Sequence, residues 1–202
     1  GERREMSFVT RRRLLLSAAS LLPLALAGCG GAAPRTFDLS ALPGAPGRAG
    51  GGRGQMVISA PVATAALDSE RIVVRTGPDE IAYLPGAQWG DRLPLLVQAR
   101  LVQSLENSSL LAAVSRTGQG VSGDWAMSGE VRRFEIDVPA RQAVVEITVK
   151  LANNANGRIV GAMVARGVAP GGAGKPEEAT AALDAALAGA LAQIVAFVRG
   201  RV

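Results

Sequence analysis

The sequence predicts an α+β domain in which a mainly antiparallel sheet of about five to six strands packs with two main helices. Three observations carry that expectation. From Ala143 to Leu151, apolar and polar residues alternate, and an Asn156-Gly157 pair then separates this run from a second extended segment. Two other segments repeat apolar residues at helical spacing: Leu93, Val97, Leu101 and Leu105, then Leu183, Leu187, Leu191, Ile194 and Val198. Hydrophobic residues make up 48% of the 202 but aromatics only 3%, so an aliphatic core must hold the layers together.

The first element is a leader. Reading from Met6, Arg11 to Arg13 form a positive patch, residues 14–27 an apolar run, and small residues close it. That order suits a secretory signal peptide over residues 1–28. The run is too short for a permanent span, which needs roughly 20 residues. Leu26-Ala27-Gly28-Cys29 resembles the bacterial lipobox. Small residues fit a narrow peptidase site, and the Cys29 thiol is the nucleophile that accepts a diacylglyceryl group. Cys29 is the only cysteine in the sequence, so no internal disulfide competes for it. Thr10-Arg11-Arg12-Arg13-Leu14-Leu15 also resembles a twin-arginine signal, and both export routes stay open. Gly30, where Asp usually retains a lipoprotein in the inner membrane, points to the outer membrane of a Gram-negative envelope.

Residues 29–55 read as the lipidated cysteine and a flexible tether, because residues 41–54 are rich in Gly, Pro and Ala without apolar periodicity. Thr36-Phe37-Asp38-Leu39 interrupts it as a candidate short strand. The domain is expected over residues 56–202. Its first strands are residues 56–58, 71–75 and 80–84, the last two forming a hairpin around Thr76-Gly77-Pro78-Asp79. Asp91 is the expected N-cap of the first helix, with Pro94 in its opening turn and the end near Asn107. Residues 110–114 suggest an edge strand. Residues 125–138 form a long strand whose apolar parity switches from Met127, Gly129 and Val131 to Phe134, Ile136 and Val138, which predicts a β-bulge at Arg132-Arg133. The strands 142–151 and 158–166 follow. Pro176 opens the last helix, with Glu177 and Glu178 where the helix dipole favours anions.

The chemistry is sparse. The sequence has no histidine, which removes the commonest general base and transition-metal ligand. With Cys29 committed to lipid, zinc-thiolate sites and a catalytic thiol go too. Gly171-Gly172-Ala173-Gly174-Lys175 lacks P-loop spacing, and Pro176 stands where Ser or Thr would bind magnesium. No catalytic residue, metal site or cofactor is expected. Net charge is +5 with a pI near 10.6, but the leader holds five arginines against two glutamates. Beyond Cys29, 17 cations face 15 anions, a net of +2, so nucleic acid is not an expected partner. Tyr83, Trp89 and Trp125 are either packing residues or, for Trp89 in a polar loop, part of a partner surface together with Tyr83 and Arg92.

Ile81-Ala82-Tyr83-Leu84, followed by Gln88-Trp89-Gly90-Asp91-Arg92-Leu93-Pro94-Leu95-Leu96-Val97-Gln98, resembles the ABC-type transport auxiliary lipoprotein family. Met127-Ser128-Gly129-Glu130-Val131-Arg132-Arg133-Phe134-Glu135 is similar to that family's later strand, and the Ala-rich helix ending Ile194-Val195-Ala196-Phe197-Val198 to its closing part. The similarity covers roughly residues 36–200. Gly90 departs from it, since a bulkier residue is expected there. The resemblance implies a non-catalytic periplasmic accessory of an ABC ATPase, a permease and an MCE-domain protein, systems that move phospholipids or other hydrophobic molecules. It implies membrane attachment through the N-terminal lipid and leaves a homo-oligomer open. Two other readings stand beside it: a structural lipoprotein assisting assembly of another outer-membrane complex, and a carboxylate-dependent enzyme on envelope polymers, which would need a cleft with two acids.

Overall fold

The computed structural model describes residues 33–44 and 52–202. The proposed leader, the lipobox residues Leu26, Ala27 and Gly28, and Cys29 itself lie outside the described residues. Elements run in the order β1 (Arg35–Phe37), β2 (Gln55–Ile58), β3 (Val62–Ala63), β4 (Arg71–Arg75), β5 (Ile81–Trp89), α1 (Leu93–Asn107), β6 (Ala113–Arg116), β7 (Trp125–Asp137), β8 (Gln142–Asn153), β9 (Arg158–Pro170) and α2 (Pro176–Arg199). The fold is α+β, with two helices and a mixed sheet whose long ladders are antiparallel.

The sheet is organised by β7. One edge of β7 pairs antiparallel with β8 along its whole length, and β8 pairs antiparallel with β9. The other edge is shared by three shorter strands, β2, β3 and β4, all parallel to it. β4 continues antiparallel into β5, which takes β1 as a parallel neighbour, while β2 takes β6. The described residues thus form nine strands, against the five to six expected. β3 is the strand that no segment of the sequence announced: it is two residues long and pairs with a distant stretch of β7. The expected bulge is present, with the β7–β8 register shifting between Val131 and Arg133. The Asn156-Gly157 turn forms as expected: Gly157 has φ +68° and its N–H donates to the Asn153 carbonyl.

Both helices contribute to one apolar core on one face of the sheet. Ala143, Val145, Ile147, Val149 and Leu151 of β8 meet Leu183, Leu187, Leu191, Ile194 and Val198 of α2, all essentially buried. α2 is long and apolar enough to cross a membrane, but these leucines are spent inside the domain. α1 buries Leu93, Val97, Leu101 and Leu105, and Gln98 donates from its Nε2 to the Ile58 carbonyl of β2 at 2.8 Å. The start of α1 corrects one expectation. Arg92, not Asp91, is the N-cap residue, because the Asp91 carboxylate turns to accept the Arg92 N–H at 2.7 Å.

The segment read as tether also contributes to the folded unit. After β1, Leu39 is buried in the core, and residues 40–44 lie along both helices. The Ser40 N–H donates to Asp184 of α2, the Leu42 N–H to Ser104 of α1, and Asn107 donates back to the Leu42 carbonyl. Arg100 pairs with Asp38 at 2.6 Å. Burial pushes the Asp38 pKa up, but hydrogen bonds from Arg100 and the Leu39 N–H, with the Arg100 charge, hold it below the usual carboxylate value. A depressed folded pKa means the contact stabilises above the ordinary Asp value of about 3.9 and is lost as pH falls through the lower folded value. The Leu39 and Leu42 amide resonances are therefore expected to shift on acidification below about pH 4. Unchanged resonances there would show that the ion pair does not hold this segment.

Candidate functional site

Of the three residues expected to share a partner surface, one is internal. Trp89 is 1% exposed and packs edge-on against Phe134, ring centroids 5.7 Å apart. The polar-loop reading fails because β5 does not stop at Leu84. Pro85 has no N–H for the ladder and Gly86 takes φ +68°, so the pairing jumps from Val73↔Tyr83 to Arg71↔Gln88 and the strand resumes. That irregularity returns the Trp89 side chain to the core, while its backbone N–H donates to the Glu70 carbonyl. Trp125 is half-buried against the same core.

Tyr83 and Arg92 sit in different surroundings. Tyr83 is half-buried on the face of the sheet opposite the helices, with the Arg71 guanidinium 3.6 Å above its ring centroid. Arg92 lies beyond the other end of β5, bonded through Nε to Asp68 at 3.0 Å. That bond raises its already high pKa, and the Asp68 charge adds to it. With Pro61, Val62, Asp68 and Leu95, Arg92 lines a shallow hollow of about 270 Å³. Val62 is 67% exposed and Leu95 37%. The hollow thus sets the Arg92–Asp68 ion pair beside two exposed aliphatic side chains.

The helix-free face carries a network that the residue-by-residue reading missed. Glu135 is only 3% exposed, yet it is ionically matched. Arg75 meets it with Nε to Oε1 at 2.8 Å and Nη2 to Oε2 at 3.1 Å, a two-pronged contact. Arg133 donates to the same Oε1 at 2.7 Å and to Asp137 at 3.1 Å. The hydrogen bond with Glu135 holds the Arg75 pKa above its usual value against the opposing effect of burial. Arg133, Glu135 and Asp137 are two residues apart along β7, so they share a face; that spacing was the available signal. Beside Glu135 in the ladder, Val144 is fully buried on this face. Removing one member leaves buried charge uncompensated, so Glu135→Ala is expected to lose about 2–3 kcal/mol in chemical denaturation. An unchanged midpoint would show that the two arginines simply rehydrate.

A second open groove, about 680 Å³, lies between Val57, the 121–124 loop and the β8–β9 turn. Its lining holds one carboxylate, Asp124, and that group is already bonded to the Gln55 N–H at 2.8 Å. Among the described residues, no group of three His, Cys, Asp or Glu side chains is arranged to hold a metal ion. Neither hollow joins two acids in the way a carboxylate-dependent hydrolase requires.

The profile of the family described as ABC-type transport auxiliary lipoprotein component matches residues 37–195. The chain belongs to this family. Members of the family are described as auxiliary lipoprotein components of ABC-type transport. The crystal structure of protein XCC0632 from Xanthomonas campestris is 26% identical and superposes with a TM-score of 0.64, covering 82% of this chain and 93% of the other. A crystal structure described only as an uncharacterized protein shares the fold at 13% identity, with a TM-score of 0.62 over 84% of this chain and 98% of that one. The uncharacterized protein bll6063 of Bradyrhizobium diazoefficiens is 29% identical over 134 residues. That match takes in 66% of this chain but only 36% of the relative's own length. The family match begins at Phe37, within the β1 segment that packs on the domain, and ends within α2, so it encloses nearly the whole described fold.

Proposed function

We propose that this family member is a non-catalytic, lipid-anchored periplasmic accessory of an ABC/MCE-type transporter that moves phospholipids or other hydrophobic molecules across the envelope. Cys29 carries the lipid, and Leu26, Ala27 and Gly28 form the processing site before it. The anchor holds the domain at the outer membrane, facing the periplasm. The family match over residues 37–195 is the observation that carries this reading. The residue chemistry supports it: no histidine occurs in the sequence, and the buried carboxylate Glu135 is engaged by two arginines.

The hollow beside Arg92 is the docking edge for the MCE-domain protein in this account. Its exposed Val62 and Leu95 supply apolar contact, and the Arg92–Asp68 pair supplies a polar rim. A photo-crosslinking residue placed at Val62 in the intact envelope should capture an MCE-domain protein or the transporter's permease. Trp89 is unsuitable for such a probe because it is buried. Capture of an outer-membrane barrel protein, with no transporter component, would replace this function with assembly of another complex.

A further inference from the structure

Among the described residues, β9 leaves more large apolar side chains uncovered than any other element. Val160, Val164 and Val168 are 41%, 47% and 46% exposed. They are four residues apart along the strand and stand on the face of the sheet opposite the helices, while Gly161 and Gly167 turn to α2. Among the described residues β9 pairs only with β8, so its outer edge presents main-chain groups to solvent. A single exposed valine is ordinary, but a 13-residue edge strand with a valine stripe is a template for another strand.

At one point the edge is already engaged. Gln193 of α2 reaches round to it: the Arg166 N–H donates to Oε1 at 3.1 Å, and Nε2 donates to the Arg166 carbonyl at 2.7 Å. A side-chain amide thus makes the pair of bonds that an added strand would make. Residues two apart present their main chain to the same edge, so Ala162, Val164 and Val168 are aligned with Arg166 there. The spacing of the stripe selects the strand that fits. Antiparallel pairing of β9 with itself about Val164 sets Val164 against Val164, Val160 against Val168 and Arg166 against Ala162. Centring on Arg166 would oppose that arginine to its own copy, and centring on Ala162 would oppose Arg158 to Arg166. The two-fold axis is normal to the sheet, so both copies of α2 lie on one face and approach each other across it. An unrelated strand would need no clearance there, whereas a second copy does. Ala185, Gly189 and Ala196, on the side of α2 from which Gln193 reaches the edge, are small and exposed, and α2 has no charged residue between Asp184 and Arg199.

We propose that β9 is a self-pairing edge: two copies of this chain join antiparallel about Val164 and continue one sheet across the two-fold axis. Gln193 is the competing cap, which each subunit releases at Arg166 when the second strand takes its place. The inference does not depend on the transport reading. The hollow beside Arg92 is built around β3, which lies beyond β7 from this edge, so both subunits keep it open.

The test joins full-length chains through a short bifunctional thiol reagent, with the parent protein, whose single cysteine is Cys29, as background. Val164→Cys should link to itself. Thr148→Cys, beside Val164 on β8, should not, because three strand spacings, about 14 Å, separate the two copies. Val160→Cys and Val168→Cys should each fail alone, their own copies being about 27 Å apart, and link when mixed. In sedimentation, Gln193→Ala should tighten the dimer about tenfold by removing the competing bonds from both subunits. Val164→Arg should sediment as a monomer with an unchanged denaturation midpoint. Equal linking at 148 and 164, or at 160 alone and in the mixture, would mean unspecific association and overturns the register. A dimer that survives Val164→Arg, or a Gln193→Ala protein that stays monomeric at every concentration, overturns the self-pairing. So does Val164→Cys that links, in intact envelopes, only to a chain of another sequence.

Discussion

Replacing Gly167 with valine should destabilise the domain by more than about 3 kcal/mol, because no side chain fits between β9 and α2. A Cβ at this position would stand 1.7 Å from the Ala186 carbonyl oxygen, 2.7 Å from its carbonyl carbon and 3.0 Å from the Ala190 nitrogen. These are backbone atoms of a helix and cannot rotate aside. Across the contact, a Cβ on Gly189 would itself lie 3.5 Å from the Gly167 Cα, so strand and helix meet backbone to backbone. The alanines of α2, Ala179, Ala182, Ala186 and Ala190, are buried for the same reason. The variant must lift α2 from the sheet and forfeit burial of its leucines, each worth about 1.5–3 kcal/mol. Gly172→Ala is the control, since a Cβ there meets nothing within 4 Å. Denaturation followed by Trp89 and Trp125 fluorescence measures both. A Gly167→Val midpoint equal to that of the control would mean that α2 is not seated on β9.

The second large effect concerns location. Cys29→Ser should abolish acylation and release the protein from membranes while leaving the domain folded. A serine hydroxyl does not replace the thiolate as acceptor, and each buried methylene of a lost acyl chain contributed about 0.8 kcal/mol to partitioning. Cys29 lies six residues before β1 in the sequence. Mass spectrometry and vesicle flotation read the two losses, and an unchanged denaturation midpoint reads the retained fold. A Cys29→Ser protein that still partitions with membranes, processed and unacylated, would place the anchor elsewhere.

The fold was legible in the sequence where neighbours in the chain are neighbours in space. The β7–β8–β9 meander, its bulge at Val131/Arg133 and both helices follow from alternation, parity and helical spacing. Parallel pairings such as β4 with β7 and β1 with β5 join segments about 60 and 50 residues apart, and local patterning has no term for them. Thr36 to Leu39 read as a short strand, but residues 40–44 escaped for a related reason. Their composition reads as tether, and distant contacts with Ser104, Asn107 and Asp184 tie them down.

The candidate site was less legible. Trp89 drew attention because aromatics are scarce, but Pro85 and Gly86, which read as a strand's end, form an irregularity within β5 that turns it inward. Arg92 was singled out in the sequence, whereas the aliphatic side chain beside it, Val62, comes from a two-residue strand 30 positions earlier. A hollow assembled from such distant pieces leaves no contiguous motif.

The central claim is that this lipoprotein works as part of an ABC/MCE transport assembly. Its most direct test is affinity purification of the acylated, full-length protein from detergent-solubilised envelopes, followed by identification of what stays bound. The account predicts an MCE-domain protein together with an ABC permease and its ATPase. Recovery of the acylated, folded protein alone, or bound only to an unrelated outer-membrane assembly machine, would contradict it.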